Sequence, residues 1–231
     1  MHEGHVSVPP GEGPFPGVVV LQDAFGLSAE MRRVCDHLAS QGYLAHIPSL
    51  YQRGDPRCVQ QVFRGLLHDD GPVYDRIRQA RDTLAARPDC TGRVGVVGFC
   101  MGGRFALVAG GRGMFDAASV NYGLIQAGKG RKKKVADLLT DPCPVVASFG
   151  GRDKLIPARD VEEYREALES KAVPVDLKVY PEASHSFFQS YGGLRGVYMK
   201  VSGMTHDPEA SADAWGRIFA FFEEHLAAEA R

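Results

Sequence analysis

An excess of charge of either sign is missing from this chain. Its 231 residues carry 27 Lys and Arg against 28 Asp and Glu, a formal net charge of −1 at pH 7. So even a balance creates no global field to draw the protein to nucleic acid or to a charged bilayer. Long hydrophobic runs are missing too, and no stretch approaches the ~18 apolar residues that span a membrane. The N-terminus has no basic segment followed by an apolar core, so no signal peptide is expected. Cysteine is sparse and unpatterned: Cys35, Cys58, Cys90, Cys100 and Cys143 are odd in number and show no Cys-x-x-Cys spacing. That argues against a disulfide framework or a zinc site and points to a reducing cytoplasm. Glycine-rich phosphate loops and clusters of metal-ligating side chains are also lacking, so neither a metal nor another cofactor is expected. The one local charge run, Lys129 to Lys134, reads as a solvated segment.

What is present is a soluble-enzyme composition, 44% hydrophobic and 24% charged, with nothing resembling a linker, so residues 1–231 read as one domain. Val18 to Leu21 is a short β-branched run that predicts a buried strand. Ser28 caps a helix to about Gln41 whose apolar stripe is Met31, Val34, Cys35 and Leu38, and Tyr43 to Ile47 reads as the next strand. Residues 52 to 71 are polar and give no clear period. Val73, Ile77, Ala80 and Leu84 mark a helix face. Arg93 to Phe99 predicts a strand, Met101 to about Ala109 a helix, and Pro144 to Phe149 another strand. Val161, Tyr164 and Leu168 form a further helical stripe, and Val175, Leu177 and Val179 alternate as a strand does. Asp207-Pro208 is a cap and first turn for a last helix through Leu226. Strands alternating with helices imply an α/β fold with a mostly parallel sheet covered on both faces, and such sheets gather chemistry at the carboxyl ends of their strands.

One segment carries the strongest chemical signal. Gly98-Phe99-Cys100-Met101-Gly102-Gly103 lies where a predicted strand turns into a predicted helix. A sharp turn there exposes the central residue, and the flanking glycines remove side chains that would collide. The helix that follows aims its positive end at the sulfur and favours the thiolate. Cys100 is therefore the candidate nucleophile, and the other four cysteines read as packing or incidental. A cysteine nucleophile needs a base and a group to orient that base. In this fold the order along the chain is nucleophile, acid, histidine. Asp153 follows one predicted strand end and His185 the next, which makes them the candidate acid and base. His206 is the other late histidine, but the segment before it does not read as a strand. The oxyanion of acyl transfer also needs backbone donors, for which Met101 N–H and the turn around Asp23 and Ala24 are placed.

Together these residues resemble the dienelactone hydrolase family of the α/β-hydrolase superfamily. The match runs from Val18-Val19-Val20-Leu21-Gln22 through Pro48-Ser49-Leu50-Tyr51, the cysteine elbow, Gly151-Arg152-Asp153 and Ser184-His185-Ser186-Phe187 to Ala214-Trp215. The resemblance implies a Cys100–His185–Asp153 triad that opens a small-molecule ester or lactone, with the N–H groups of Ala24 and Met101 as oxyanion hole. It also implies that Asp23 modulates the nucleophile, although family members have a glutamate there, one methylene longer. Gln189 stands where the family has an arginine that helps hold a substrate carboxylate, with Phe187 and Phe188 beside it as candidate substrate contacts. A neutral glutamine cannot replace that charge, so neutral aryl or alkyl esters or neutral lactones are expected to be better substrates than dienelactone carboxylates. Arg53, Arg57 and Arg64 are the other candidate cations. An acyl transferase or thioesterase on the same fold, and a non-catalytic ligand-binding protein on a hydrolase scaffold, stay open as alternatives. No oligomeric state follows from the sequence.

Overall fold

The computed structural model describes residues 4–50, 56–126 and 134–227. Seven strands form one sheet in the order β1-β3-β2-β4-β5-β6-β7. They are β1 His5–Ser7, β2 Phe15–Leu21, β3 Leu44–Ile47, β4 Cys90–Phe99, β5 Ala117–Asn121, β6 Val145–Gly150 and β7 Val175–Tyr180. Only β1 runs antiparallel, pairing with β3. All other pairs are parallel. The helices are α1 Ala29–Ser40, α2 Pro56–His68, α3 Pro72–Ala85, α4 Met101–Gly110, α5 Ala158–Glu169, α6 Gly193–Val201 and α7 Pro208–Leu226, with a 3-10 turn at Val135–Leu138.

Composition explains the layers. Val18, Val19, Val20 and Leu21 of β2 and Val94, Val96, Val97 and Phe99 of β4 are wholly buried. Continuous apolar runs of this kind suit strands covered on both faces. On one side α1 and α7 meet through His37, whose ring packs edge-on against Trp215 and Phe219. On the other, α2, α3 and α4 contact one another. Ser28 accepts from Met31 N–H and Asp207 accepts from Ala210 N–H, so both expected N-caps form.

The strands and helices expected around residues 18–47, 73–109, 144–179 and 207–226 are all present. Four elements have no counterpart in the sequence reading. β1 is three residues long. β5, Ala-Ala-Ser-Val-Asn, has no apolar run and is a strand because β4 and β6 pair it on both sides. α2 lies in the polar stretch from 52 to 71, and α6 starts without a side-chain cap. Of the basic run, only Lys134 lies within the described residues. Among those residues no helix is long and apolar enough to cross a membrane.

Candidate active site

The parallel strands bring their carboxyl ends to one edge of the sheet. Leu21 of β2 is in register with Gly98 of β4, and Phe99 with Asn121 of β5. The chain then turns directly from β4 into α4, with Cys100 as the N-cap at φ 54 and ψ −113. A non-glycine residue at positive φ is strained and persists only where its surroundings fix it. Here Cys100 N–H donates to Asn121 O at 3.1 Å, and Asn121 Nδ2 donates to Gly98 O at 3.2 Å. The turn also requires bare backbone. A Cβ on Gly102 would run into the carbonyl oxygens of Leu21 and Gln22, and one on Gly98 into the Gly102 carbonyl. Cys100 is partly exposed, whereas Cys35, Cys58, Cys90 and Cys143 are all buried. Burial pushes the Cys35 and Cys143 thiols up to about 12, which leaves them protonated and unreactive at neutral pH.

Asp153 follows β6 and His185 follows β7. His185 Nδ1 and Asp153 Oδ2 are 2.7 Å apart, with both side chains almost wholly buried. Nε2, also buried, completes no hydrogen bond of normal geometry. The Cys100 sulfur nonetheless acts on the ring. Tyr122, wholly buried at the end of β5, packs edge-on against the imidazole at 5.0 Å between centroids. It fixes the ring's plane from behind. No sequence motif marks Tyr122, because its role depends on where β5 ends.

Burial alone would lower the basicity of His185, but the hydrogen bond it donates to Asp153 and the interaction with Cys100 outweigh it and raise the pKa to about 9. A histidine whose folded pKa lies above its unfolded value of about 6.5 contributes stability that is complete below that value. The contribution is lost as pH rises through about 9. The urea midpoint is therefore expected to fall between pH 7 and pH 9.5, and less steeply in Asp153→Asn. Equal slopes in the two proteins would show that this pair does not control the alkaline limb.

As the first residue of α4, Met101 has an N–H with no acceptor inside the helix. Ala24 is the exposed residue of the turn after β2 that Gly26 N–H closes onto Asp23 O at 3.2 Å. Asp23 is almost wholly buried. Its Oδ1 accepts from Phe25 N–H at 2.8 Å and its Oδ2 from the Tyr191 hydroxyl at 2.6 Å. Burial raises its pKa, and those two donors and Arg195 counter the rise.

The stretch after His185 turns inward. Phe187 is wholly buried against Tyr122, Tyr180 and Phe188. Phe188 and Gln189 border a cavity of about 500 Å³ together with Glu30, Arg33, His37 and Trp215. Neither Cys100 nor His185 forms part of its wall, so this cavity is not the space over the sulfur. Arg57 and Arg64 are exposed on α2, and Arg53 lies outside the described residues. The cation acting on Asp23 is instead Arg195 of α6. It stacks 4.6 Å over the Phe25 ring and sits 3.4 Å from Glu30.

Comparison with known proteins adds an independent line. The profile of the dienelactone hydrolase family matches residues 3–226. A Yersinia pestis protein provisionally named a carboxymethylenebutenolidase is 31% identical over 223 residues, covering 92% of this chain and 79% of its own. The carboxymethylenebutenolidase of Pseudomonas putida is 30% identical over 192 residues, 77% of each chain. The crystal structure of a Klebsiella pneumoniae protein, provisionally assigned as a dienelactone hydrolase, superposes with a TM-score of 0.73. The two are 27% identical, and the match covers 96% of this chain and 92% of that one.

Proposed function

Because the chain belongs to the dienelactone hydrolase family, and is thus a hydrolytic enzyme of that type, we propose that it cleaves a small carboxylic ester or lactone through an acyl-cysteine on Cys100. The observation that carries this reading is the 2.7 Å bond between His185 and Asp153 beside a cysteine held at φ 54 on the elbow.

In the proposed reaction the thiolate of Cys100 attacks the carbonyl carbon while His185 stands as imidazolium, oriented by Asp153. The carbonyl oxygen takes up the negative charge and is held by the N–H groups of Ala24 and Met101. The C–O bond then breaks as His185 hands its proton to the departing alkoxide, which in a lactone stays tethered to the acyl group. Water, deprotonated by His185, attacks the thioester carbonyl. The C–S bond breaks, the carboxylic acid leaves and the thiolate returns.

Uncharged substrates fit best. Gln189 offers no charge, its amide lies 2.7 Å from Tyr191, and Arg195 already faces Glu30. Losing a charge-assisted contact of about 1.5–3 kcal/mol disfavours a carboxylated substrate by roughly tenfold to a hundredfold. The test is to quench the enzyme in acid during turnover of a neutral aryl ester and to map the added mass, then to compare kcat/KM with that for a carboxylated lactone. The expected adduct is one acyl group on the peptide carrying Cys100, together with a preference for the neutral ester. An acyl group on another residue would sink the acyl-cysteine reading, and a preference for the anion would sink the substrate reading.

A further inference from the structure

Tyr191 lies between His185 and α6, where no motif marks it. Its hydroxyl is 2.6 Å from Asp23 Oδ2 and 2.7 Å from Gln189 Oε1. A phenol has one proton and cannot donate to two acceptors at once. Asp23 Oδ1 is already taken by Phe25 N–H, and a carboxylate can only accept. The Tyr191 proton therefore goes to Asp23. Gln189 must then present its amide N–H to the Tyr191 oxygen, which requires a half-turn of the amide that exchanges its O and N. That half-turn also provides for Gln189 Nε2, which is buried and has no partner in the other orientation. The result is a one-way chain from Gln189 to Tyr191 to Asp23.

The chain reaches the nucleophile. Asp23 follows Leu21, whose partner in β4 is Gly98, by two residues, and the carbonyls of Leu21 and Gln22 press against Gly102, so the turn that carries Asp23 lies against the elbow. Tyr191 and Cys100 interact electrostatically, and both interact with buried Tyr122, as do Asp23 and Asp153. The T-shaped contact of Tyr191 with Phe25, at 5.4 Å, fixes its ring on the same turn. Both carboxylate oxygens of Asp23 are thus occupied by donors other than the sulfur.

We infer that Tyr191 is a positioning residue for the nucleophile, acting through Asp23: its hydroxyl holds the carboxylate turned away from Cys100 and screens its charge. The inference rests on Cys100 being the nucleophile. The groups facing Cys100 are His185, Tyr122 and Tyr191. Those facing Asp23 are Tyr191, Tyr122, Arg195 and Glu30. At the alkaline pH where thiols titrate, a carboxylate is charged. Without the Tyr191 proton its unscreened charge opposes formation of a neighbouring thiolate.

The experiment follows iodoacetamide alkylation of each cysteine by mass spectrometry between pH 5 and pH 10. It uses wild type, Tyr191→Phe, Asp23→Asn and the double variant, with thermal unfolding to confirm that each is folded. Cys100 in the wild type is expected to react fastest of the five; if it does not, the nucleophile assignment itself fails. Given that assignment, Tyr191→Phe is expected to move the pH midpoint for Cys100 upward by at least about half a unit. In the Asp23→Asn background the same change is expected to do nothing. A merely structural tyrosine would lower the unfolding temperature and leave the midpoint alone. That result, a downward move, or an equal move in the Asp23→Asn background would overturn the inference.

Discussion

With Cys100 replaced by alanine, kcat/KM on a small neutral ester is expected to fall by about 10⁴-fold or more, to a level set by the oxyanion donors and binding alone. His185→Ala is expected to cost a similar factor, and the double variant little more than either single one. In the proposed mechanism the nucleophile and base act as a unit: once one is gone, the other has no step to assist. The structure gives each role an anchor. The elbow holds Cys100 at a positive φ under the hydrogen bond to Asn121 O, and His185 is fixed by Asp153 on one side and Tyr122 on the other. Alanine at residue 100 removes the sulfur and keeps the Cβ, so far-UV circular dichroism should match the wild type. Steady-state kinetics on purified variants decides the point. A Cys100→Ala enzyme that keeps a tenth of wild-type kcat/KM, or losses in the two single variants that multiply in the double, would falsify the triad.

The largest expected effect on stability is at Arg104, one turn along α4 from Cys100. Its guanidinium is 1% exposed and the Asp69 carboxylate 0%. Nε and Nη2 both donate to Asp69 Oδ1, at 3.1 and 2.7 Å, and Nη1 donates to the carbonyls of Leu124 and Ile125. Asp69 in turn offers its own carbonyl to Arg112 at 2.7 Å. One side chain thus ties α4 to the end of α2 and to the loop after β5. Paired burial of two charges is a weak source of net stability, but removing the guanidinium takes two charge-assisted hydrogen bonds from a carboxylate that is fully buried. Arg104→Met, close in length and apolar, is therefore expected to destabilise the fold by about 3–5 kcal/mol. In a chain of this size that lowers Tm by roughly 6–20 °C. Adding Asp69→Asn removes the buried charge that Arg104 had balanced, tolerates the positive φ of 54° at that residue, and should recover part of the loss. Thermal unfolding of the three proteins checks this. A drop of less than about 1 kcal/mol for Arg104→Met would mean that the pair is better solvated than its burial implies, and an additive double variant would mean that the two residues do not act together.

The sequence by itself determined the α/β pattern and the elbow, and it put Cys100, Asp153 and His185 at strand ends in the order the fold requires. These features are legible because each is local. A β-branched run, a helical stripe, Asp207-Pro208 and glycines two before and two after a cysteine all express their physics within a few residues. β5 was not legible, since Ala-Ala-Ser-Val-Asn is a strand only because two parallel neighbours supply its hydrogen bonds. Tyr122, carried to the back of the imidazole by that strand, was hidden for the same reason. The Arg104–Asp69 pair spans 35 residues and the Tyr191–Asp23 contact 168. Gln189 read as a residue facing substrate, and only the tertiary structure put Tyr191 against its amide. Separations of that length leave no period and no motif behind. They exist because a parallel sheet returns every strand to the same edge, and the loops collected there choose their partners by proximity and by proton count.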